Sequence, residues 1–531
     1  MQALTMPLKE LAEFEELCKR RMKEPGMIRI CGCVSSQKTH MMYAMSDGPK
    51  YKVIACSSES KAKQVYEEYR FLDARTYLYP AKDLLFYQAD LRSKELTRQR
   101  MEVIQAVITG EPVTVVTSFD AFMDSLLPKE VIEERMLHIE NDSPLDLDDM
   151  VRHLSELGYE REIQIESCGQ FAVRGGILDI YPLTEEMPVR IELWGDEVDS
   201  IRTFDVETQR SVENLKDIWI CPAAEFPQEG ERGVSFLDYF PAEETLLFLN
   251  EPVRLVEKGQ GVEAEFMEAS KKRVESGYEM AEGEVKLYGT EEILERMNGY
   301  CSIGFFALDM RCKGLLTRES VSLQTKSVNP YNSSFDTLTQ DLKRLKRNGY
   351  RVILLSGSRT RAKRLAEDLR DYNLSSYYSD DMERETKPGE IMTAYGYVAE
   401  GYEYPMLKFT VISETDIFGK VKKKKKRKLY EGRKIQDFAE LKPGDYVVHE
   451  NHGLGIYQGI EKIEVDKISK DYMKISYAQG GNLYIPATQL DLIQKYASAD
   501  AKKPKLNKLG TQEWNRTKTK VRGAVREIAK D

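Results

Sequence analysis

The sequence predicts a multidomain α/β protein. An α/β module is interrupted by an inserted α+β domain, then followed by a small α/β domain, a small β-barrel and the start of a helix. Three observations predict it. Over residues 1–140, apolar runs alternate with helical patterns, which favours a parallel sheet with crossover helices. Over 144–225 the pattern changes to short strands with Gly and Pro turns, which favours an antiparallel sheet. Over 440–497, short strands separated by Gly-rich turns fit a small SH3- or Tudor-like barrel.

The elements follow in order. Residues 27–33, 52–56 and 113–118 read as buried strands, and 61–71 and 94–108 as helices. A helix at 145–157 leads into strand patterns at 171–173, 176–181, 189–194 and 197–205. Residues 245–249 and 302–308 are strands around a long charged helix. Leu338, Leu342 and Leu345 mark a helix ending near Gly349. The strand 351–355, a Ser-Gly-Ser turn and the helix 361–369 come next. The barrel strands are 446–448, 456–460, 472–477 and 483–485. Trp514, Val521, Val525 and Ile528 make a narrow apolar stripe on a final helix that has no C-cap signal, so the chain is expected to continue past residue 531.

Punctuation near Ser143-Pro144, over 222–233 and at the Lys/Arg run 422–428 sets the expected boundaries. The first α/β part spans 1–143, the α+β domain 144–225 and the second α/β part 226–328. The small α/β domain spans 329–420, a basic linker 421–439, the barrel 440–497, and a linker with the start of a helix 498–531.

Composition excludes several classes. The chain has 531 residues and 41% hydrophobic content, enough for several cores at roughly 100–200 residues per domain. No run of about 18 apolar residues exists, so no membrane span is expected. The acidic, helical start is not a signal peptide. The eight cysteines are scattered without a framework, which reads as free thiols in the cytoplasm. A net charge of −10 argues against a protein that coats nucleic acid over its whole surface.

Four constellations bear on function. Residues 32–39, Gly-Cys-Val-Ser-Ser-Gln-Lys-Thr, follow a strand and precede a helical pattern. They approach the phosphate-binding pattern G-x-x-x-x-G-K-[ST], with Gly32, Lys38 and Thr39 in place and Gln37 where the second Gly belongs. A side chain there crowds the phosphates, so the loop reads as a degenerate P-loop, without nucleotide turnover. Glu414 and Asp416 after a strand are a faint acidic partner and read as an ordinary strand exit. His449 and His452 read as turn chemistry, because metal sites need three or four ligands. The Lys/Arg run reads as a solvated tether; contact with phosphates is the alternative. Arg174, Arg190 and Trp194 lie on neighbouring strands. Arg190 and Trp194 share one sheet face, and Arg and Trp are the types enriched at interface hot spots, although a surface Arg is usually only solvated.

Residues 171–182 (Phe-Ala-Val-Arg-Gly-Gly-Ile-Leu-Asp-Ile-Tyr-Pro) and 188–210 resemble the UvrA-binding domain shared by UvrB and the bacterial transcription-repair coupling factors. Residues 441–457 (Leu-Lys-Pro-Gly-Asp-Tyr-Val-Val-His-Glu-Asn-His-Gly-Leu-Gly-Ile-Tyr) resemble the polymerase-interaction module of the coupling factors, which is related to the CarD regulators. Residues 505–514 resemble the linker after it. The degenerate P-loop is similar to that of the family's UvrB-like first domain, and the order of the pieces matches a coupling factor. The resemblance implies an adaptor half for transcription-coupled nucleotide excision repair. UvrA would dock on positions matching Arg174, Arg190 and Trp194, with Trp194 where the family often has Phe. The β subunit of RNA polymerase would dock on a strand carrying Ile460, Ile463 and Val465. It also implies an ATP- and Mg²⁺-dependent motor on double-stranded DNA beyond residue 531, and a C-terminal region that in the whole protein covers the UvrA face. No catalytic residue, metal or cofactor is expected in this chain. The family lacks the DNA-inserting hairpin of UvrB, and only the short segment 81–94 stands where it would be. The competing class is an ATP-using, UvrB-like enzyme on damaged DNA, which Gln37 and the missing motor motifs disfavour.

Overall fold

A computed structural model describes residues 2–82, 94–206, 208–223, 233–275, 287–419, 433–434, 441–449, 452–465, 468–486, 493–496, 504 and 506–508. They belong to two compact units. The Lys/Arg run at 422–428 and the final helix lie outside the described residues, as does most of the segment 81–94.

The first unit holds two sheets. The larger has seven strands in the order Thr317–Ser322, Gly26–Cys31, Cys301–Phe306, Thr245–Asn250, Tyr51–Cys56, Val113–Ser118, Thr76–Tyr79. Every neighbouring pair is parallel. Strands Gly26–Cys31, Val113–Ser118, Thr245–Asn250 and Cys301–Phe306 are buried along their whole length, as parallel strands covered on both faces must be. Thr245–Asn250 pairs with Tyr51–Cys56, so residues on either side of the α+β domain build one sheet. The edge strand Thr317–Ser322 was not anticipated: its Thr-Arg-Glu-Ser-Val-Ser carries no apolar period because it lies at an exposed edge.

The second sheet has six strands in the order Lys326–Ser327, Tyr402–Tyr404, Phe409–Ser413, Arg351–Ser356, Ile391–Tyr395, Tyr377–Tyr378. Helix Phe335–Arg347 starts at Ser334, whose side chain accepts from Thr337 N–H, and it buries Leu338, Leu342 and Leu345 as their spacing predicts. One core joins the two sheets, with Ile28, Ile54 and Phe248 packed together with Ile353, Met392 and Phe409.

The second unit includes an antiparallel sheet in the order Ser211–Leu215, Glu197–Phe204, Val189–Trp194, Ile177–Tyr181, Gln170–Arg174, closed at one edge by the short parallel strand Glu160–Arg161. Helix Leu147–Glu156, N-capped by Asp146, packs Leu154 into its core. The strand pair Leu137–Glu140 and Asp217–Ile220 adds Ile139, Ile218 and Ile220 to that same core. The domain therefore starts before residue 144, the boundary expected at Ser143-Pro144. The sequence punctuation marks the turn after the first strand rather than the entry to the domain.

The same unit includes a further six-stranded antiparallel sheet in the order Arg433–Lys434, Ile493–Lys495, Tyr446–His449, Gly453–Val465, Ile468–Ser476, Asn482–Pro486. Its core is Leu441, Val447, Tyr457, Met473, Ile475, Tyr477, Ile485 and Ile493. All eight cysteines are free, including the neighbours Cys31 and Cys33, whose thiol burial pushes up, for Cys33 to about 12.

Candidate functional site

The face of the α+β sheet turned away from the Leu154 core is built by register. Ala172 pairs with Asp179, Asp179 with Arg190, and Arg190 with Arg202, so these four form one row across the strands. Arg174, Ile177, Glu192 and Ser200 form the next row. Alternation puts Trp194 on the same face, one pleat beyond Glu192.

Two hairpins place Arg174 and Trp194 at the same end of this sheet. Arg174 pairs with Ile177 across Gly175-Gly176, and Trp194 pairs with Glu197 across Gly195-Asp196. Both loops have two residues and a glycine at positive φ in first position, +62° at Gly175 and +67° at Gly195, as type II′ turns require. A Cβ at Gly176 would lie 3.2 Å from the Leu193 carbonyl oxygen, a tight contact that the strand would have to yield to.

The chemistry of the face turns on Asp179, whose side chain is 1% exposed. Arg190 donates to it twice, Nε to Oδ1 at 2.7 Å and Nη2 to Oδ2 at 2.9 Å. Arg174 donates from Nη2 to the same Oδ2 at 2.5 Å. Arg190 also reaches Gln209 at 3.0 Å and lies over the Phe204 ring, 4.3 Å from its centre. The paired carboxylate raises the Arg190 pKa above its ordinary value. Glu192 is paired with Arg202 across the strands. Trp194 stands in solvent, 83% exposed. The structure thus brings Arg174, Arg190 and Trp194 to one face, but in different states: one guanidinium consumed, one half-committed, one indole open. Asp179 was missed in the sequence, where the signal was present as a lone outward acid on the strand beside Arg190.

The Gly32–Thr39 loop shows the opposite arrangement. A Cβ on Gly32 would meet the Leu323 carbonyl oxygen at 2.3 Å, and Thr325 Oγ1 donates to the Gly32 carbonyl. Gln37, fully buried, folds back so that its Oε1 accepts from the Val34 N–H at 3.1 Å. That N–H belongs to the backbone that a phosphate would need. Lys38 is ion-paired with Glu251, which also accepts from the Ala307 N–H at 3.0 Å; Thr39 is buried. On the following helix, Ser36 Oγ donates to Glu68 at 2.8 Å and accepts from the Glu400 N–H at 3.1 Å. The Ala399 N–H donates to Glu68 at 3.2 Å. The Tyr404 hydroxyl lies 2.9 Å from His40 Nδ1 and the Leu4 carbonyl 3.0 Å from Nε2, the arrangement of a neutral ring that donates from Nε2 and accepts at Nδ1. Its ring stacks on Tyr402 at 5.1 Å, and burial lowers its pKa to about 4. Glu414 turns its carboxylate to the Gly357 N–H, Ser356 and Arg361. Asp416 closes its own helix start through Ser413. Both acids thus serve local structure at the second sheet, whereas Lys38 follows a strand of the first.

In the 441–496 sheet, strand Gly453–Val465 outruns its neighbour. Tyr446–His449 covers it only as far as Ile456, and Tyr457 bonds Asp445 and Gly444. Gln458 lies at a register shift, and from Gly459 to Val465 the backbone pairs with Ile468–Lys474 on one side, while among the described residues the other edge has no strand. Ile460 is half-buried against the module's core, at the inner margin of the expected docking strand. Ile463 and Val465 lie on this strand opposite Lys470 and Ile468; their side chains lie outside the described residues. The His449 and His452 rings lie 4.7 Å apart, tilted by 44°, and among the described residues no cluster of potential ligands could hold a metal ion.

The UvrB interaction domain family matches residues 137–226, and the CarD-like/TRCF RID domain family matches 441–497. The transcription-repair-coupling factor of Bacillus subtilis (strain 168) is 32% identical over 520 residues, covering 86% of this chain and 44% of the relative. That of Staphylococcus haemolyticus (strain JCSC1435) is 28% identical, with the same coverage. That of Staphylococcus aureus (strain MRSA252) is 27% identical across all of this chain and 50% of the relative. This chain is a homologue of the transcription-repair-coupling factors. It spans about half the length of the coupling factors it matches. The match beginning at 137 agrees with the strand Leu137–Glu140 that the domain's core contains. Among the described residues, no helix of this coupling-factor homologue is long and apolar enough to cross a membrane.

Proposed function

We propose that this chain is an adaptor for transcription-coupled nucleotide excision repair: its 137–226 domain recruits UvrA, and its 441–497 module docks on the β subunit of stalled RNA polymerase. The observation that carries the reading is the pairing of both interaction domains in one chain, in a homologue of the coupling factors. The module reads as a small SH3- or Tudor-like barrel, and the loop at 32–39 as a relic P-loop that no longer takes nucleotide. An ATP- and Mg²⁺-dependent motor, acting on double-stranded DNA to displace polymerase, would lie outside this chain, which covers 44% of the Bacillus subtilis relative. Such work belongs in the cytoplasm.

The one-sided strand supports polymerase docking. An unpaired backbone edge can extend a partner's sheet, with main-chain hydrogen bonds giving affinity and alternate side chains giving specificity. Ile463 stands in the stretch that, among the described residues, is paired along one edge only. The test is capture of polymerase and of UvrA, side by side, by the purified chain and its Ile463→Arg variant. The variant should lose polymerase, keep UvrA and melt as the parent does. Undiminished polymerase capture, or a large drop in melting temperature, would remove Ile463 from the interface. Failure of the parent chain to capture either partner would remove the adaptor reading itself.

A further inference from the structure

The two arginines of the α+β face share one buried acid, and they share it unequally. Arg190 spends Nε and Nη2 on Asp179 and on Gln209, rests its flat side on Phe204, and leaves 15% of its side chain exposed. Arg174 spends one nitrogen on Asp179, keeps 47% of its side chain exposed, and sits at the hairpin tip beside the open end of the sheet. The geometry points to Asp179 as a positioning residue for partner docking: it locks Arg190 as an internal brace and aims Arg174, whose outer edge takes the partner's carboxylate. This rests on the reading of this face as the UvrA-docking surface.

The physical argument is pre-organisation. A guanidinium is planar and offers five N–H donors along separate edges, so one edge can be held from behind while another is presented. Asp179 is directly opposite Arg190 and one diagonal step from Arg174, close enough on a pleated sheet for both long side chains to converge on it. An exposed arginine held in this way arrives at the partner with part of its rotamer freedom already removed. A free one must surrender that freedom on binding. The brace has a second effect. With Arg190 neutralising Asp179, the acid does not repel the partner carboxylate that Arg174 is aimed to receive.

The test is a thermodynamic cycle on UvrA binding by the folded chain, using Asp179→Asn, Arg174→Ala and the double variant, with Arg174→Lys beside them. Arg174→Ala is expected to weaken binding about thirtyfold, and Asp179→Asn about tenfold. In the Arg174→Ala background, Asp179→Asn should add no further loss, because the residue it positions is gone. Arg174→Lys should bind nearly as weakly as Arg174→Ala, since an ammonium cannot face Asp179 with one edge and the partner with another. Polymerase capture by each variant monitors the rest of the chain. Losses that multiply in the double variant would make Asp179 merely structural and sink the positioning role, as would full affinity in Asp179→Asn. If Asp179→Asn does not fold, Arg174→Lys still decides, because parental affinity in that exposed variant would overturn the two-edged arrangement. No effect of Arg174→Ala, with Trp194→Ala still weakening binding, would overturn the inference but leave the face. No effect of either would overturn the docking reading itself.

Discussion

The loop at Gly32–Thr39 and the face at Arg174–Trp194 both present nitrogen donors at the end of a sheet, yet they treat them in opposite ways. In the loop, Gln37 takes the Val34 N–H, Glu251 takes Lys38, and Ser36 and His40 bond to residues 399–404 and to Leu4. On the face, Arg174 is held by one nitrogen and Trp194 projects into solvent. A buried donor gains from a partner, and in the loop the Val34 N–H and Lys38 find theirs within the chain. A site kept for a partner leaves donors exposed and stiffens them from behind. Under the proposed function the filled loop is a relic and the open face a working surface, and it is the internal partners, more than motif spelling, that set the two apart.

Two substitutions test the internal partners hardest. Lys38→Ala leaves Glu251 with the Ala307 N–H as its remaining donor, and Arg190→Ala leaves Asp179 with Arg174. Removing the cation of a buried ion pair costs about 3 kcal/mol, measurable by denaturant unfolding, and less here, because Glu251 is 23% exposed and Asp179 keeps Arg174. Lys38→Ala should do this without changing ATP turnover, which should stand at background in the parent, with or without DNA. Turnover that disappears in Lys38→Ala would mean the loop still works as a nucleotide site.

The next effect is on pH. Burial holds the folded-state pKa of His40 at about 4, against an ordinary value of 6.5. Below 6.5 the unfolded chain takes up a proton that the folded chain refuses until about pH 4, so acid favours unfolding across that window. Stability is unaffected by this group above 6.5 and falls by about 2.5 kcal/mol between pH 7 and pH 4.5. The His40→Gln variant cannot titrate, so its stability should fall less by that amount over the same range. Parallel pH curves for parent and variant would show that His40 is not the buried neutral ring between helix Ser35–Ala44 and residues 402–404.

Much of this was legible in advance where one strand or helix decides the outcome. The strand Val189–Trp194 follows from its alternation, and helix Phe335–Arg347 from three leucines at helical spacing. Gln37 could be read as an obstacle to phosphate, because crowding is a local property. Its role as acceptor for Val34 could not be read, because that depends on a side chain turning back in three dimensions. Glu251 stands far from Lys38 in the chain, and only the strand order brings them together. Arg190 was expected as a contact residue on equal terms with Arg174. What distinguishes them is register, which places Asp179 directly opposite Arg190, and register is not visible in a single strand. Ile460 illustrates the same limit: its alternation with charged neighbours fits either core or interface, and packing decides in favour of half-burial.

The smallest effect is the cleanest. Trp194 makes the face's largest exposed apolar surface, at the end of a strand whose preceding residue, Leu193, packs inward. Its removal takes nothing from the core and leaves the Gly195-Asp196 turn residues in place, so Trp194→Ala should melt within about a degree of the parent. Aromatic anchors at interface centres typically contribute about 2 kcal/mol, or roughly thirtyfold in affinity, because they bury a large rigid surface with few rotatable bonds. UvrA binding should fall by that factor while polymerase capture stays unchanged. Trp194→Phe, which keeps a flat ring, should recover most of the loss, whereas Trp194→Leu should not. A thirtyfold loss in Trp194→Ala that Leu repairs as well as Phe would reduce the residue to generic apolar area. No loss at all would break the contrast between filled loop and open face at its most exposed point.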